Sequence, residues 1–222
     1  MDNAVSILET VTDWMVIGGT VILASVIIVS WLASYRVPKA AMVRSGDWFF
    51  VLPTWIQIVG GLGACVLLTY LGYLLWIPLP LSILPNVEPI LQLIGLAFFV
   101  AGWLLVLWAR WTLGALYGVS TSFVAPLQAQ HRLIHNGPYA FVRHPMYLGY
   151  WILLLGLTLI YRAWTPFLFL VMCLAPFSRR AQREEKALAE KFAAEWRAYT
   201  AHVPMFVPHA LFGAKRGGET KQ

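Results

Sequence analysis

Charge is what this chain has least of. Only 12% of its 222 residues are Asp, Glu, Lys or Arg, against about 25% in ordinary water-soluble domains. So few ions cannot clothe a conventional soluble surface, and that class is excluded. Cysteine is nearly missing as well. Cys65 and Cys173 both fall inside apolar runs, so packing is their expected role and neither a disulfide framework nor a cysteine zinc site can be built. No G-x-G-x-x-G follows a strand, and neither G-x-x-x-x-G-K-S/T nor H-E-x-x-H occurs. The Rossmann, P-loop and zincin signatures are therefore gone. His131 and His135 are four residues apart but have no third ligand at a clear spacing, so no metal is expected. The first three apolar runs hold no charged residue in mid-span, which argues against a transporter.

What is abundant is apolar and aromatic surface. Hydrophobic residues make up 59% of the chain, with eleven Trp and nine Tyr, and mean hydropathy is +0.69. Indole and phenol rings favour the two membrane–water interfaces, so an integral membrane protein is expected. Five apolar segments stand out: Trp14–Leu32, Trp48–Trp76, Ile90–Trp108, Pro145–Tyr161 and Trp164–Phe177. The first three are long enough to span, since a spanning helix needs about 20 residues. The last two are short and separated by little more than Arg162, which predicts a helical hairpin with ends reaching into polar surroundings.

Basic residues orient the chain. Five spans put Arg36, Lys39, Arg44, Arg110, Arg132, Arg143 and the Lys and Arg of the C-terminal tail on one side, and Arg162 alone on the other. The positive-inside rule then predicts an outside N-terminus and a cytoplasmic C-terminus. The net charge of +6 is accordingly read as topology, and nucleic acid is not an expected partner. No basic region precedes the first apolar run, so a cleaved signal peptide is not expected. The expected fold is all-α: a polytopic bundle of about five transmembrane helices, with a cytoplasmic C-terminal helix capping a pocket. Three parts are expected: residues 1–110 as an acceptor-side scaffold of three spans, 111–210 as the catalytic region, and 211–222 as a loose tail.

Polar chemistry gathers before the fourth apolar segment. HNGPYAFVRHPMYLGY, residues 135–150, brings His135, Tyr139, Arg143, His144 and Tyr147 to the start of a helix opened by Pro145. Proline suits a first turn, where its missing N–H costs nothing. Gly137-Pro138 marks a turn that folds His131–Ile134 back toward that helix start. The free N–H groups of such an end attract an anionic group. Taken singly, Arg143, His144 and Tyr147 could be interface anchors; crowded between a turn and a helix start, they read better as a pocket. The tail SRRAQREEKALAEKFAAEWRAY reads as a helix with Ala187, Leu188, Phe192, Trp196 and Tyr199 near helical spacing. Arg180 and Glu184 lie one turn apart on it and are read as ligands, whereas Glu185, Glu190 and Glu195 are read as ordinary surface ion pairs.

In their order these motifs resemble the isoprenylcysteine carboxyl methyltransferase family, within a wider group that includes phospholipid N-methyltransferases. The resemblance rests on His131-Arg132-Leu133-Ile134, Gly137-Pro138-Tyr139, Arg143-His144-Pro145-Met146-Tyr147, Arg180 with Glu184-Glu185, and Tyr199 with Val203-Pro204-Met205-Phe206-Val207-Pro208. It covers about residues 128–208; Ile134 and Met205 depart from the commonest pattern. It implies S-adenosyl-L-methionine as cofactor, bound without a Rossmann fold by His131, Arg132, Leu133, Ile134, Tyr139, His144, Pro145, Met146, Tyr147 and Glu184. Arg180 would face the acceptor, with Arg143, His144 and Arg180 as the catalytic set. The acceptor would be lipophilic and enter sideways from the bilayer among membrane lipids.

Methyl transfer from a sulfonium is an in-line displacement in which positive charge disappears, so the enzyme's task is mainly alignment, which can supply roughly 7–11 kcal/mol of the barrier. A carboxylate acceptor needs no base; an amine or thiol would need one, for which His144 or Glu185 is available. Two other classes stay open. Sterol-reductase-type membrane proteins share an RHxNY-like element, an acidic pair and a VP ending but use NADPH; RHP-x-Y and five spans favour methyl transfer instead. A non-catalytic scaffold would bind neither cofactor. The topology predicts that Arg162→Cys reacts with an impermeant thiol reagent on intact cells, whereas Lys215→Cys reacts only after permeabilisation. The opposite pattern would invert the orientation.

Overall fold

The computed structural model describes residues 2–34, 53–114 and 133–207. Arg36, Lys39, Arg44, His131, Arg132 and the tail beyond Val207 lie outside the described residues. Among those described, the regular structure is helical apart from one isolated bridge between Pro78 and Ala163. Helix α1 is Asp2–Ser34, α2 is Thr54–Leu74, α3 is Glu88–Leu113, α4 is Pro145–Tyr161 and α5 is Trp164–His202, with a short 3-10 turn at Gly137–Ala140 before α4.

The helix ends follow local chemistry. Thr54 starts α2 directly behind Pro53, so the second helix is shorter than the apolar run Trp48–Trp76. Helix α3 carries Pro in its first turn, Glu88 at its positive end and Arg110 at its negative end, as the helix dipole favours. The largest difference from expectation is α5. The short fifth apolar run and the polar tail helix form one helix of 39 residues, with Pro176 inside it and non-helical backbone at Ala193 (φ 37°, ψ −96°). From Phe177 to His202 no Gly or Pro occurs to end it. Of the described helices, Val5–Ser30 of α1 and Glu88–Leu113 of α3 are long and apolar enough to cross a membrane; Val59–Leu74 and Pro145–Tyr161 are shorter apolar helices.

Packing is densest between α3 and α4, and glycine is the reason. Gly95 and Gly102 on α3 and Gly149 and Gly156 on α4 share a seven-residue spacing, which returns each to the same helix face after two turns. A Cβ built on Gly95 would lie 2.8 Å from the Gly156 carbonyl oxygen, and one on Gly102 only 2.6 Å from that of Gly149. The helices thus touch backbone to backbone and run antiparallel. Small residues at such contacts are how apolar helices associate where burial from water offers little drive. Phe99, Val106, Leu153 and Ile160 fill the flanks, and Val16 and Leu23 of α1 complete the core. Trp103 Nε1 donates to the Gly19 carbonyl at 2.8 Å, and Arg110 donates to Ser30 Oγ, so α1 lies along α3.

Successive helices alternate in direction. At one end of the bundle the Tyr161 hydroxyl donates to Asp13 at 2.9 Å, Arg162 lies 3.8 Å from Glu88, and Thr165 Oγ1 donates to the Gly72 carbonyl at 2.6 Å. Outward faces remain apolar: Trp14, Trp55, Val66, Tyr73 and Trp111 are all exposed. The glycine seam makes a direct test possible. Gly102→Leu or Gly156→Leu should destabilise the protein in detergent by about 1–3 kcal/mol through overpacking. Gly61→Leu, at a position where an added Cβ meets nothing within 4 Å, should be near neutral. Equal thermal shifts for all three would remove the seam from its structural role.

Candidate functional site

The end of the bundle opposite the Tyr161–Asp13 contact is where the polar motifs meet. Gly137 adopts φ +59°, a conformation that favours glycine, and a Cβ there would press on Thr112 of α3 at 2.8 Å. That contact seats the 3-10 turn Gly137–Ala140 on the end of α3 and buries Pro138 and Tyr139. The chain then enters α4 through Arg143 and His144. Their backbone N–H groups donate to the carbonyls of Pro204 and Met205 at 2.9 and 3.1 Å. The RHP element and the VPMF ending, about sixty residues apart in sequence, are thereby one local structure.

Helix α5 completes the site from the side. The Tyr147 hydroxyl donates to Glu184 Oε1 at 2.7 Å, and Arg180 Nε donates to the same oxygen at 3.0 Å. His144, only 6% exposed, lies between two carboxylates: Nδ1 is 3.6 Å from Glu184 Oε2 and Nε2 is 3.2 Å from Glu185 Oε1. Arg143 grips Glu185 with two donors, Nε at 2.9 Å and a terminal nitrogen at 3.3 Å. Its other terminal nitrogen donates to the carbonyls of Val203 and Thr200, and its guanidinium sits 5.8 Å from the Trp196 ring centroid. Bidentate geometry of this kind is the strong form of an ion pair.

Rings close around these charges. Tyr147 stacks on His144 at 5.7 Å between centroids, and Phe206 approaches His144 at 5.7 Å and Trp151 at 4.6 Å. Phe177 of α5 meets Tyr147 at 5.2 Å and Tyr150 at 5.9 Å. Burial alone would raise the Glu185 carboxyl, but the His144 hydrogen bond and the Arg143 charge outweigh it and hold the group below the usual carboxylate range. Burial pushes the Tyr199 hydroxyl up to about 12, against the opposing charge of Arg143, so it is a neutral donor, to the Tyr139 carbonyl at 2.6 Å.

Of the residues singled out in the sequence, Arg143, His144, Tyr147, Arg180 and Glu184 come together within one network. Pro145 is fully buried beneath it, and Leu133 is buried while Ile134 and Met146 are half-buried. A separate surface groove of ≈ 360 Å³ is lined by Leu133, His135, Ala140, Tyr199, His202 and Val203 among others, and it does not include His144, Tyr147 or Glu184. Glu185 corrects the sequence reading. It is no surface ion pair but the anchor of Arg143 and His144, because helical twist and the approach of α4 bring both members of the Glu184-Glu185 pair onto the same imidazole. Phe206, Trp151 and Phe177 were also missed individually; the VPxF pattern was the signal available for Phe206.

A family model described as phospholipid methyltransferase matches residues 90–195. The protein-S-isoprenylcysteine O-methyltransferase of Schizosaccharomyces pombe is 34% identical over 79 residues, which is 35% of this chain. The aligned part spans about a third of that relative's length (34%). Together they bear out the resemblance to the isoprenylcysteine carboxyl methyltransferase family.

The depressed Glu185 carboxyl has a definite pH signature. A group whose folded value lies below its unfolded one contributes its full stability above the ordinary value and loses it as pH falls through the folded value. Glu185→Gln should therefore cost on the order of 1–3 kcal/mol at neutral pH. Its deficit relative to wild type should shrink once the pH drops below the usual carboxylate range. Thermal unfolding in detergent across that range checks this; a deficit independent of pH would show that Glu185 acts by packing alone.

Proposed function

We propose that this chain is an integral membrane methyltransferase that uses S-adenosyl-L-methionine and transfers the methyl group to a lipophilic acceptor. The acceptor group we assign is a carboxylate, as in protein-S-isoprenylcysteine O-methylation, the activity named for the Schizosaccharomyces pombe relative. The observation that carries the proposal is the meeting of His144 and Tyr147 at the start of α4 with Glu184 and Arg180 of α5, joined by the 2.7 Å and 3.0 Å bonds to one Glu184 oxygen. Five membrane passes with an outside N-terminus would set this site at the cytoplasmic face, open to a water-soluble donor on one side and to the bilayer on the other.

The residues present fit such a donor. Glu184 offers carboxylate oxygens to amino or hydroxyl groups. The rings of Tyr147, Phe177 and Phe206 offer faces that attract a cation, and the first N–H groups of α4 favour an anionic group. We assign His131, Arg132, Leu133, Ile134, Tyr139, His144, Pro145, Met146, Tyr147 and Glu184 to its binding. When bound, the cofactor supplies an electrophilic methyl on a sulfonium. Arg180 is assigned to orient the acceptor carboxylate. Arg143 is committed to Glu185 and to two carbonyls, so its part is to hold the site in shape. A carboxylate carries no proton to remove, so the side chains need only align it and keep water out.

A second reading has its own support. The matched family model is described by phospholipid methylation, which points to an amine acceptor. That reaction would require a proton acceptor, and His144 stands ready for it. Calorimetry in detergent should show donor binding that His144→Ala or Glu184→Ala weakens by about tenfold or more, the loss of a charge-assisted contact. Tyr147→Phe should weaken it less. Membranes given a labelled methyl donor should yield a base-labile ester for the carboxylate reading and a base-stable methylamine for the second. Failure of the intact protein to bind the donor would overturn both.

A further inference from the structure

We infer that Glu185 is a positioning residue that fixes the tautomer of His144, keeping the proton on Nε2 and leaving Nδ1 as the proton-accepting nitrogen on the Glu184 side. The argument begins with Arg143. Its two donors to Glu185, at 2.9 and 3.3 Å, commit that side chain to the ionised form, and an ionised carboxylate only accepts. The His144 Nε2 that faces Glu185 Oε1 at 3.2 Å must therefore carry hydrogen. A neutral imidazole then holds its lone pair on Nδ1, and Nδ1 points to Glu184 Oε2 at 3.6 Å, beyond hydrogen-bond reach.

Orientation is transmitted from the far end of α5. Thr200 and Val203 carbonyls and the Trp196 ring hold Arg143, Arg143 holds Glu185, and Glu185 holds the ring. Stacking on Tyr147 and contact with Phe206 hold the plane of the ring, and the backbone bond from His144 to Met205 holds the residue in place. The charged and titratable groups around it are Arg143 and Tyr147 on its own element and Arg180, Glu184, Glu185 and Tyr199 on α5. The arrangement parallels the general case of a carboxylate that selects an imidazole tautomer without exchanging a proton. It leaves one acceptor nitrogen beside the residue assigned to the donor, available to a group that bears a proton. Its kinetic consequence rests on the amine-acceptor reading of methyl transfer, because a carboxylate has no proton to give; the tautomer does not.

The test uses the full chain in nanodiscs with ring-15N histidine, the His144 signals being those lost in His144→Ala. At about pH 8, where an ordinary imidazole is neutral, the wild type should show a protonated Nε2 and an unprotonated Nδ1. In Glu185→Gln the amide can donate to Nε2, so the ring should shift toward Nδ1–H. With an amine acceptor, the same variant should lower kcat by about tenfold or more, the scale of a misplaced proton, while KM for the donor stays nearly constant. Glu185→Asp should restore part of the rate. An Nδ1–H or doubly protonated ring in the wild type overturns the inference, as does a Glu185→Gln protein with unchanged spectrum and unchanged kcat. An Nε2–H ring in a wild type that transfers no methyl group supports the positioning role and counts against the function. Should Glu185→Gln fail to fold, the wild-type spectrum decides alone.

Discussion

Backbone contact between α3 and α4 determines where the polar groups of the candidate site can go. With Gly102 against Gly149 and Gly95 against Gly156, neither helix can slide without driving a carbonyl into its neighbour. That immobility sets the height of the α4 N-terminus, and with it the positions of His144 and Tyr147. It also leaves α3 ending beneath the Gly137 turn, whose close contact with Thr112 delivers the chain to Arg143. A site built on rigid helix ends is more accurately held than one built on loops alone.

At that end the protein gathers several charges in a poorly hydrated place. Arg143 and Glu185 are 14% and 20% exposed, and His144 and Glu184 lie against them. Charges so placed are costly unless paired and hydrogen-bonded, and the pairing here is extensive. Guanidinium donors meet carboxylate and carbonyl oxygens, and aromatic rings wall off what remains. Because Val203, Pro204 and Met205 accept bonds from Arg143 and His144, the segment after α5 is held by the same residues that open α4. Stability of the tail and shape of the site are one property.

Much of this was legible from residue order. The turn at Gly137-Pro138, the helix start at Pro145, the helix after Ser178 and the one-turn pairing of Arg180 with Glu184 follow from periodicity and turn chemistry. The boundaries of α1 and α3 widened, and α2 began later, at Thr54, directly behind the non-helical Pro53. Glu185 was misjudged for a physical reason: periodicity assigns each residue one face of an isolated helix. It does not register that a neighbouring imidazole, inserted between two adjacent side chains, can use both. The seven-residue glycine spacing was present as well, yet glycine carries no hydrophobic signal, so its meaning emerges only when two helices are set side by side.

Composition and order alone determined that this chain is built of largely apolar helices, the rough extent of α1 to α4, and the chemical type of its polar cluster. These are properties of single segments, dictated by transfer free energy and local backbone preference. Tertiary structure decided the rest: that α3 and α4 touch through glycine, that RHP and VPMF form one unit, and that Glu184 and Glu185 flank the same ring. Each is a contact between segments distant in sequence, and only packing chooses among the partners that the segments alone would allow.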